Sequence, residues 1–465
     1  MKKTDSAFID DSAIEQVLAA AGKSDGQRVR EILAKARLMK GLEAEDMAAL
    51  ASISDPELLG ELFNTAKAVK EQIYGKRLVL FAPLYISNMC GNECLYCAFR
   101  ARNKLVERVA LTQEQIAREV RILVEQGHKR ILLVAGESYP NEGFNYILKS
   151  IATIYATTSG PGEIRRVNVN IAPLSVEEFR QLHDAKIGTY QLFQETYHRQ
   201  TYRKVHVGGK KVDYDWRVTA MDRALEAGIN DVGIGVLFGL CDWRFEILAL
   251  MQHIRHLEAV HGVGPHTISV PRLEPATGSD MATHPPKPVS DIDFRKIVAI
   301  LRLAVPYTGI IMSTRETPNM RRETFALGVS QISAGSRTNP GGYTESQDHP
   351  DAAQFSLGDH RPLDEVIRDV AELGYIPSFC TGCYRLGRTG KDFMDLAKPG
   401  LIKEHCDPNA ISTFAEYLID YASPKTRAMG EAMITKALAQ MEPTPRGRAE
   451  KLLAAVRSGK RDAYC

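Results

Sequence analysis

Three cysteines, Cys90, Cys94 and Cys97, stand at Cx3Cx2C spacing. Such a set can hold a zinc ion that takes a fourth ligand from elsewhere. It can also hold a four-iron cluster in which three irons take thiolates and the fourth stays open. An open iron can chelate a small molecule that offers an amine and a carboxylate. Zinc knuckles favour CxxC pairs, so the longer first gap points to iron. A second triad, Cys380, Cys383 and Cys406, reads Cx2C-x22-C and again leaves one position open. Zinc competes better there. A CxxC pair with a later Cys or His is a common zinc pattern, and His405 or Cys465 can complete it. Cys241 has no partner cysteine nearby in sequence and reads as a non-ligand.

The bulk of the chain constrains where this chemistry sits. Its 465 residues suit a barrel with appended pieces. The net charge of +2 gives no basic surface for nucleic acid. The longest apolar runs, such as 78–86, are strand-length and too short to span a membrane. The segment Met1-Lys2-Lys3-Thr4-Asp5 leads into an acidic, helix-like stretch and lacks the apolar core of a secretory signal. A cytoplasmic location is expected, where clustered cysteines bind metal more often than they pair.

The elements that must position the cysteines are legible as a repeat. Residues 1–77 read as an N-terminal helical segment, with Ile14, Val17, Leu18 and then Val29, Ile32, Leu33 at helical spacing. Eight β-rich runs follow, at 78–86, 130–135, 167–171, 188–193, 231–237, 266–271, 309–313 and 330–333. Helical patterns such as 112–126 and 218–227 separate most of them. Eight βα units predict an α/β fold, a (β/α)8 TIM-type barrel over 78–375. A polar loop over 339–361 precedes a helix opening at Pro362. Residues 376–465 read as a mainly helical C-terminal extension that carries the second triad. The barrel rule sends every strand to the top, where such folds keep their active sites. Cys90 follows the first strand and so belongs at the top. Cys380 and His266 belong at the bottom, ~20–25 Å away if the strand between has ~7 residues.

With Tyr96 ahead of the third cysteine, the first triad resembles the radical S-adenosylmethionine (SAM) superfamily. The resemblance implies a [4Fe-4S] cluster, bound SAM and a 5′-deoxyadenosyl radical that abstracts a substrate hydrogen. In such a site Tyr96 borders the adenine. Ala135, Gly136 and Glu137 resemble the segment that holds the SAM amine, and Gly233-Ile234-Gly235 resembles a second SAM-contacting segment. Residue by residue, each has a plainer reading as a turn or a strand glycine.

The whole chain is similar to the HydG-type tyrosine lyases of [FeFe]-hydrogenase maturation. The segments that carry this are Gln194-Glu195-Thr196-Tyr197-His198, Ser313-Thr314-Arg315-Glu316 and Cys383-Tyr384-Arg385-Leu386-Gly387-Arg388-Thr389-Gly390, together with the C-terminal triad. Several of them also resemble the 2-iminoacetate synthases of thiamine biosynthesis, which lack the C-terminal triad. The resemblance implies cleavage of the Cα–Cβ bond of L-tyrosine to p-cresol and dehydroglycine, and conversion of the latter to CO and cyanide at a second, auxiliary [4Fe-4S] cluster. It implies an additional iron at that cluster, ligated by His266 of Gly264-Pro265-His266-Thr267-Ile268 and bridged by free cysteine. A ferredoxin- or flavodoxin-type reductant and other hydrogenase maturation proteins are the implied partners.

An amino-acid substrate needs a cation for its carboxylate, and an arginine fork suits it best. Arg315 and Arg337 lie after the seventh and eighth strands, and Ser336 and Thr338 flank the latter. Asn170, Glu195 and Tyr197 lie at strand tops and can bind SAM or tyrosine. Two other classes stay open: a radical SAM enzyme for another amino acid, and a non-catalytic iron–sulfur or zinc scaffold.

Overall fold

The computed structural model describes residues 6–22, 25–139, 141–344 and 352–465. The expectations for residues 1–5, and for part of the loop over 339–361, lie outside the described residues. Four helices open the chain: α1 (Asp11–Ala20), α2 (Gly26–Ala36), α3 (Ala44–Ala51) and α4 (Pro56–Tyr74). Local chemistry sets the bounds of α4. The Asp55 carboxylate caps the Leu58 amide, Pro56 takes a first-turn position, and Gly75 stops the helix at φ +60°.

Eight parallel strands follow: β1 (Arg77–Ser87), β2 (Arg130–Ala135), β3 (Arg166–Asn170), β4 (Tyr190–Gln191), β5 (Val232–Gly235), β6 (Thr267–Ser269), β7 (Gly309–Met312) and β8 (Val329–Ser333). Each pairs with the next, and β8 pairs back onto β1 at Val79–Phe81, which closes the barrel. The expected (β/α)8 fold is therefore the observed one.

Several strands are shorter than their apolar runs. In β4 only two residues stay regular, because the chain soon turns through Glu195 at φ +71°, a conformation a non-glycine residue adopts at a cost. Past the formal ends of β6 the ladder continues as single bonds. The His266 amide donates to the Val232 carbonyl and the Val236 amide to the Ser269 carbonyl.

A ninth strand, β9 (Ile376–Ser378), joins the lower part of β1 in parallel, with Arg77 opposite Ile376 and Val79 opposite Ser378. The start of the C-terminal segment is thus part of the barrel sheet. Beyond it the chain is helical, as expected: Lys403–Asp420, Pro424–Gln440 and Pro443–Arg457 are its longest helices. The first of these is tied to the barrel by a buried ion pair, Arg165 Nη2 to Glu416 Oε1 at 2.5 Å. The helix expected to open at Pro362 runs Leu363–Glu372, and Pro362 is its cap. Among the described residues no helix is long and apolar enough to cross a membrane.

Candidate functional site

The upper cysteines leave β1 on a loop laced to the segment after β4. The Glu93 amide donates to the Gly208 carbonyl, the Val207 amide to the Glu93 carbonyl and the Leu95 amide to the Val205 carbonyl. Arg108 clamps the loop from below by donating to the carbonyls of Asn88, Phe99, Arg100 and Asn103. Cys90, Cys94 and Cys97 line one cavity, with Ala135, Gly136 and Glu137 opposite them. Gly136 is required by space: a Cβ there would sit 2.3 Å from the Met89 carbonyl oxygen. Burial pushes the Cys94 thiol up and the Cys97 thiol to about 11, so metal binding here must displace thiol protons.

Glu137 is held by two donors, Asn92 Nδ2 at 2.6 Å and Arg217 Nη1 at 2.9 Å. Beside it Lys211 Nζ donates to Glu195 Oε1 at 2.7 Å. Burial and Arg217 oppose the Lys211 charge, yet Glu195, Cys94 and Glu137 together hold its pKa above the ordinary lysine value. Two cations and two carboxylates thus face a zwitterion-sized space with their charges alternating. Lys211, Arg217 and Asn92 carry no recognisable spacing, and sequence reasoning missed them.

A second cavity descends into the barrel mouth and shares Tyr96, Cys97, Asn170, Glu195 and Gln354 with the first. Tyr96 is fixed by a 2.9 Å bond between its hydroxyl and His206 Nε2. Arg315 and Thr338 line this cavity, and the Arg315 guanidinium lies over the Phe355 ring. Five expected residues sit apart from the lining of both cavities. Tyr197 is fully buried and bonds His253 Nδ1 at 2.8 Å. Arg337 Nη1 turns back to the Ser336 carbonyl. Gly233 and Gly235 instead make room for residues that do line the mouth: a Cβ on Gly233 would meet Gln191 Cγ at 2.9 Å, and one on Gly235 would meet Phe193 Cδ1 at 2.8 Å. Ser336 also stays outside the lining, with its buried hydroxyl oxygen unpartnered.

At the other end of the barrel, Cys380, Cys383 and Cys406 line one cavity with His266, Arg130 and Arg77. β9 delivers Cys380, whose carbonyl accepts from Arg130 Nη1 at 2.9 Å. A hydrogen bond between Cys383 and Cys406 holds the first thiol below its ordinary value and pushes the second up. His266 is buried among these groups, and its Nδ1 has no hydrogen-bond partner. The upper and lower cavities are stacked along the barrel axis. Val79, Gly309 and Gln331 line the lower one, while Phe81, Ile311 and Ser333, two residues further along the same strands, line the upper one.

Among the described residues, no three His, Cys, Asp or Glu side chains are grouped so as to hold a single metal ion. Each triad nonetheless faces one shared cavity. Thiolates arranged around a space rather than a point suit a polynuclear cluster, whose irons occupy separate corners.

Comparison with known proteins agrees with this arrangement. The radical SAM superfamily matches residues 84–251, and the biotin and thiamin synthesis associated domain matches residues 269–376. The 2-iminoacetate synthase of Escherichia coli is 32% identical over 354 residues, which is 75% of this chain and 90% of that protein. A crystal structure of HydG, described as a maturase of the [FeFe]-hydrogenase, superposes with a TM-score of 0.95 at 50% identity, covering 99% of this chain and 100% of that one. The chain belongs to the HydG family of radical SAM enzymes. A second HydG maturase, from Carboxydothermus hydrogenoformans, matches at a TM-score of 0.83 and 40% identity over 95% of this chain. Membership of the radical SAM superfamily implies a [4Fe-4S] cluster with SAM, and the thiol-lined upper cavity with its alternating charges fits that pair.

Proposed function

We propose that this chain is a radical SAM carbon–carbon lyase. It cleaves the Cα–Cβ bond of L-tyrosine to p-cresol and dehydroglycine. At the lower site it converts dehydroglycine to CO and cyanide for assembly of the [FeFe]-hydrogenase active site. The observation that carries the reading is the pair of cysteine triads, each facing its own cavity, at opposite ends of one barrel.

When bound, the upper cluster and SAM supply a 5′-deoxyadenosyl radical. Cys90, Cys94 and Cys97 would hold the cluster, and Gly136 lets the backbone before Cys90 pack close beside the SAM site. Glu137, Asn170 and Glu195 bind the polar parts of SAM, and Tyr96 borders the adenine. Arg315 takes the tyrosine carboxylate, and the apolar walls of the mouth exclude water from the radical. At the lower site Cys380, Cys383 and Cys406 would hold an auxiliary cluster. His266, whose Nδ1 has no hydrogen-bond partner, would ligate an extra iron there, with free cysteine as its non-protein ligand. A radical does not survive the route between the sites, but a small diffusible fragment can pass along the axis. A ferredoxin- or flavodoxin-type protein supplies electrons, and the enzyme works in the cytoplasm.

The test is product analysis on anaerobically reconstituted protein given SAM, tyrosine, cysteine, iron and dithionite. Wild type is expected to release p-cresol and CO, and Cys380→Ala/Cys383→Ala to keep p-cresol and lose CO. A wild type that makes p-cresol without CO would favour a thiamine-type lyase, a reading that the similarity to 2-iminoacetate synthase supports. SAM cleavage without p-cresol would exclude tyrosine as the substrate.

A further inference from the structure

Next to the lower cysteine cavity lies a second space that the proposed reaction does not use. It measures about 640 Å³ and opens at the foot of β3, β4 and β5. Arg165, Arg166, Lys186 and Arg385 stand on its wall against two carboxylates, Asp184 and Asp231. Tyr384 lines both this space and the cysteine cavity, so its side chain forms the partition between them.

Arg166 is built into that partition. It is fully buried, with Nε donating to Asn168 Oδ1 at 2.7 Å and Nη2 donating to Thr189 Oγ1 at 2.7 Å. Its Nη1 has no partner. Gly188 leaves the guanidinium its place, since a Cβ there would sit 2.4 Å from Arg166 Nε. The Tyr384 ring lies over the guanidinium, and its hydroxyl is 3.4 Å from Thr189 Oγ1. On the inner side the same ring stands 6.3 Å from the His266 ring, edge-on. Asp231 Oδ2 lies 3.9 Å from Nη2, too far for a hydrogen bond, so this buried arginine keeps a spare donor for an anion and is covered by one aromatic side chain. The contact that covers it is a cation–π contact, weak enough to open.

We infer that this space is a port to the lower site for small anions, with Tyr384 as its door and Arg166 as the group that reads the charge. The inference rests on the proposed lower site, which must exchange small anions with solvent. The same chemistry serves a carboxylate-bearing thiol going in and a cyanide-bearing iron complex coming out.

The test uses the full-length chain before reconstitution, alkylated with iodoacetate or with neutral iodoacetamide and mapped peptide by peptide. The upper thiols Cys94 and Cys97 serve as internal controls. Tyr384→Ala is expected to speed alkylation of Cys383 and Cys406 by about tenfold, the scale of a lost cation–π contact, and to leave the upper thiols unchanged. Tyr384→Phe keeps the ring and is expected to follow wild type. Arg166→Gln is expected to lower the iodoacetate-to-iodoacetamide ratio at the lower thiols by about three- to tenfold, the scale of one charge-assisted hydrogen bond. Lower thiols that react at one rate in wild type and Tyr384→Ala would overturn the door. A charge ratio unmoved by Arg166→Gln would overturn the reader. In reconstituted protein, faster uptake of radiolabelled L-cysteine by Tyr384→Ala assigns inward traffic, and faster loss of labelled cyanide assigns outward traffic. Neither changing would overturn the port. The alkylation result stands whether or not p-cresol and CO are made.

Discussion

Gln354 reaches Cys97 from across the barrel mouth: its Nε2 lies 3.8 Å from the Cys97 sulfur while its Oε1 accepts from the Tyr85 hydroxyl at 2.7 Å. The amide joins the barrel-mouth cavity to a proposed cluster ligand in two steps. An N–H pointed at a cluster sulfur stabilises the reduced state. Gln354→Leu should therefore lower the midpoint potential of the upper cluster by a few tens of millivolts, read by an EPR-monitored redox titration. An unchanged potential would reduce this contact to loop anchoring.

Gly136 offers a steric test. The obstruction to a Cβ is backbone, the Met89 carbonyl oxygen at 2.3 Å, and it cannot swing aside as a side chain would. Gly136→Ala should displace the loop before Cys90, weakening SAM binding by at least about tenfold, the equivalent of 1.4 kcal/mol. Equilibrium dialysis of SAM against the reconstituted protein measures it, with the lower site as an internal control for iron loading.

The two candidate carboxylate clamps separate by position. Arg315 lines the mouth and Arg337 turns to the Ser336 carbonyl. Arg315→Lys should raise the KM for tyrosine by about 10–100-fold, as for the loss of a bidentate charged hydrogen bond. Arg337→Ala should change it by less than about threefold, as for a side chain outside the lining of both cavities. Steady-state p-cresol formation compares the two, and a reversed order would reassign the clamp.

His266 gives a metal prediction. Its Nδ1 is buried without a hydrogen-bond partner, Asp231 Oδ1 lying 3.7 Å away, so removing the ring breaks no hydrogen bond through that nitrogen. His266→Ala should keep p-cresol formation and bind about one iron fewer per chain, since one ligand is lost from one metal. Iron analysis and Mössbauer spectra would show it. Full iron content with CO intact would leave His266 a structural residue.

Glu246 sets a pH dependence. It accepts from the Thr196 hydroxyl and the Tyr197 amide while fully buried, and burial raises its carboxyl to about 8 from an ordinary 4.5. A raised carboxyl favours folding fully below pH 4.5, and that contribution is lost as pH climbs through 8. Glutamine reproduces the protonated acid, with its carbonyl facing Tyr197 N and its amide facing Thr196. Glu246→Gln should therefore melt about 2–4 °C above wild type at pH 8.5 and level with it at pH 5, measured by calorimetry. Equal melting curves at both pH values would mean that the carboxylate is hydrated in the fold.

Much of this architecture was legible. Strands buried on both faces read as apolar runs, so all eight barrel strands were visible, and with them the rule that puts Cys90 and Cys380 at opposite ends. β9 was not. Ile376-Pro377-Ser378 is three residues with a proline, and only the exposed lower edge of β1 makes it a strand. The cysteines declared themselves by spacing. Lys211, Arg217 and Gln354 did not, because a lone cation or amide gains meaning only from what the fold sets beside it. Gly233 and Gly235 mark the opposite difficulty. A glycine signals close approach without saying to what, and here the neighbours are Gln191, Phe193 and Ser269.

β1 also bears on how such a chain can vary through descent. Its 11 residues pair at the lower end with the strand that delivers Cys380 and lead at the upper end into the loop that carries Cys90. One inserted residue would turn half the strand inside out, and two would lift the upper cysteines by about 6–7 Å while the lower ones stayed in place. Loops elsewhere in the barrel tolerate insertion and deletion. In this strand, by contrast, a change of length alters both centres at once, so the separation of the two chemistries should stay nearly constant across lineages even as surrounding sequence drifts.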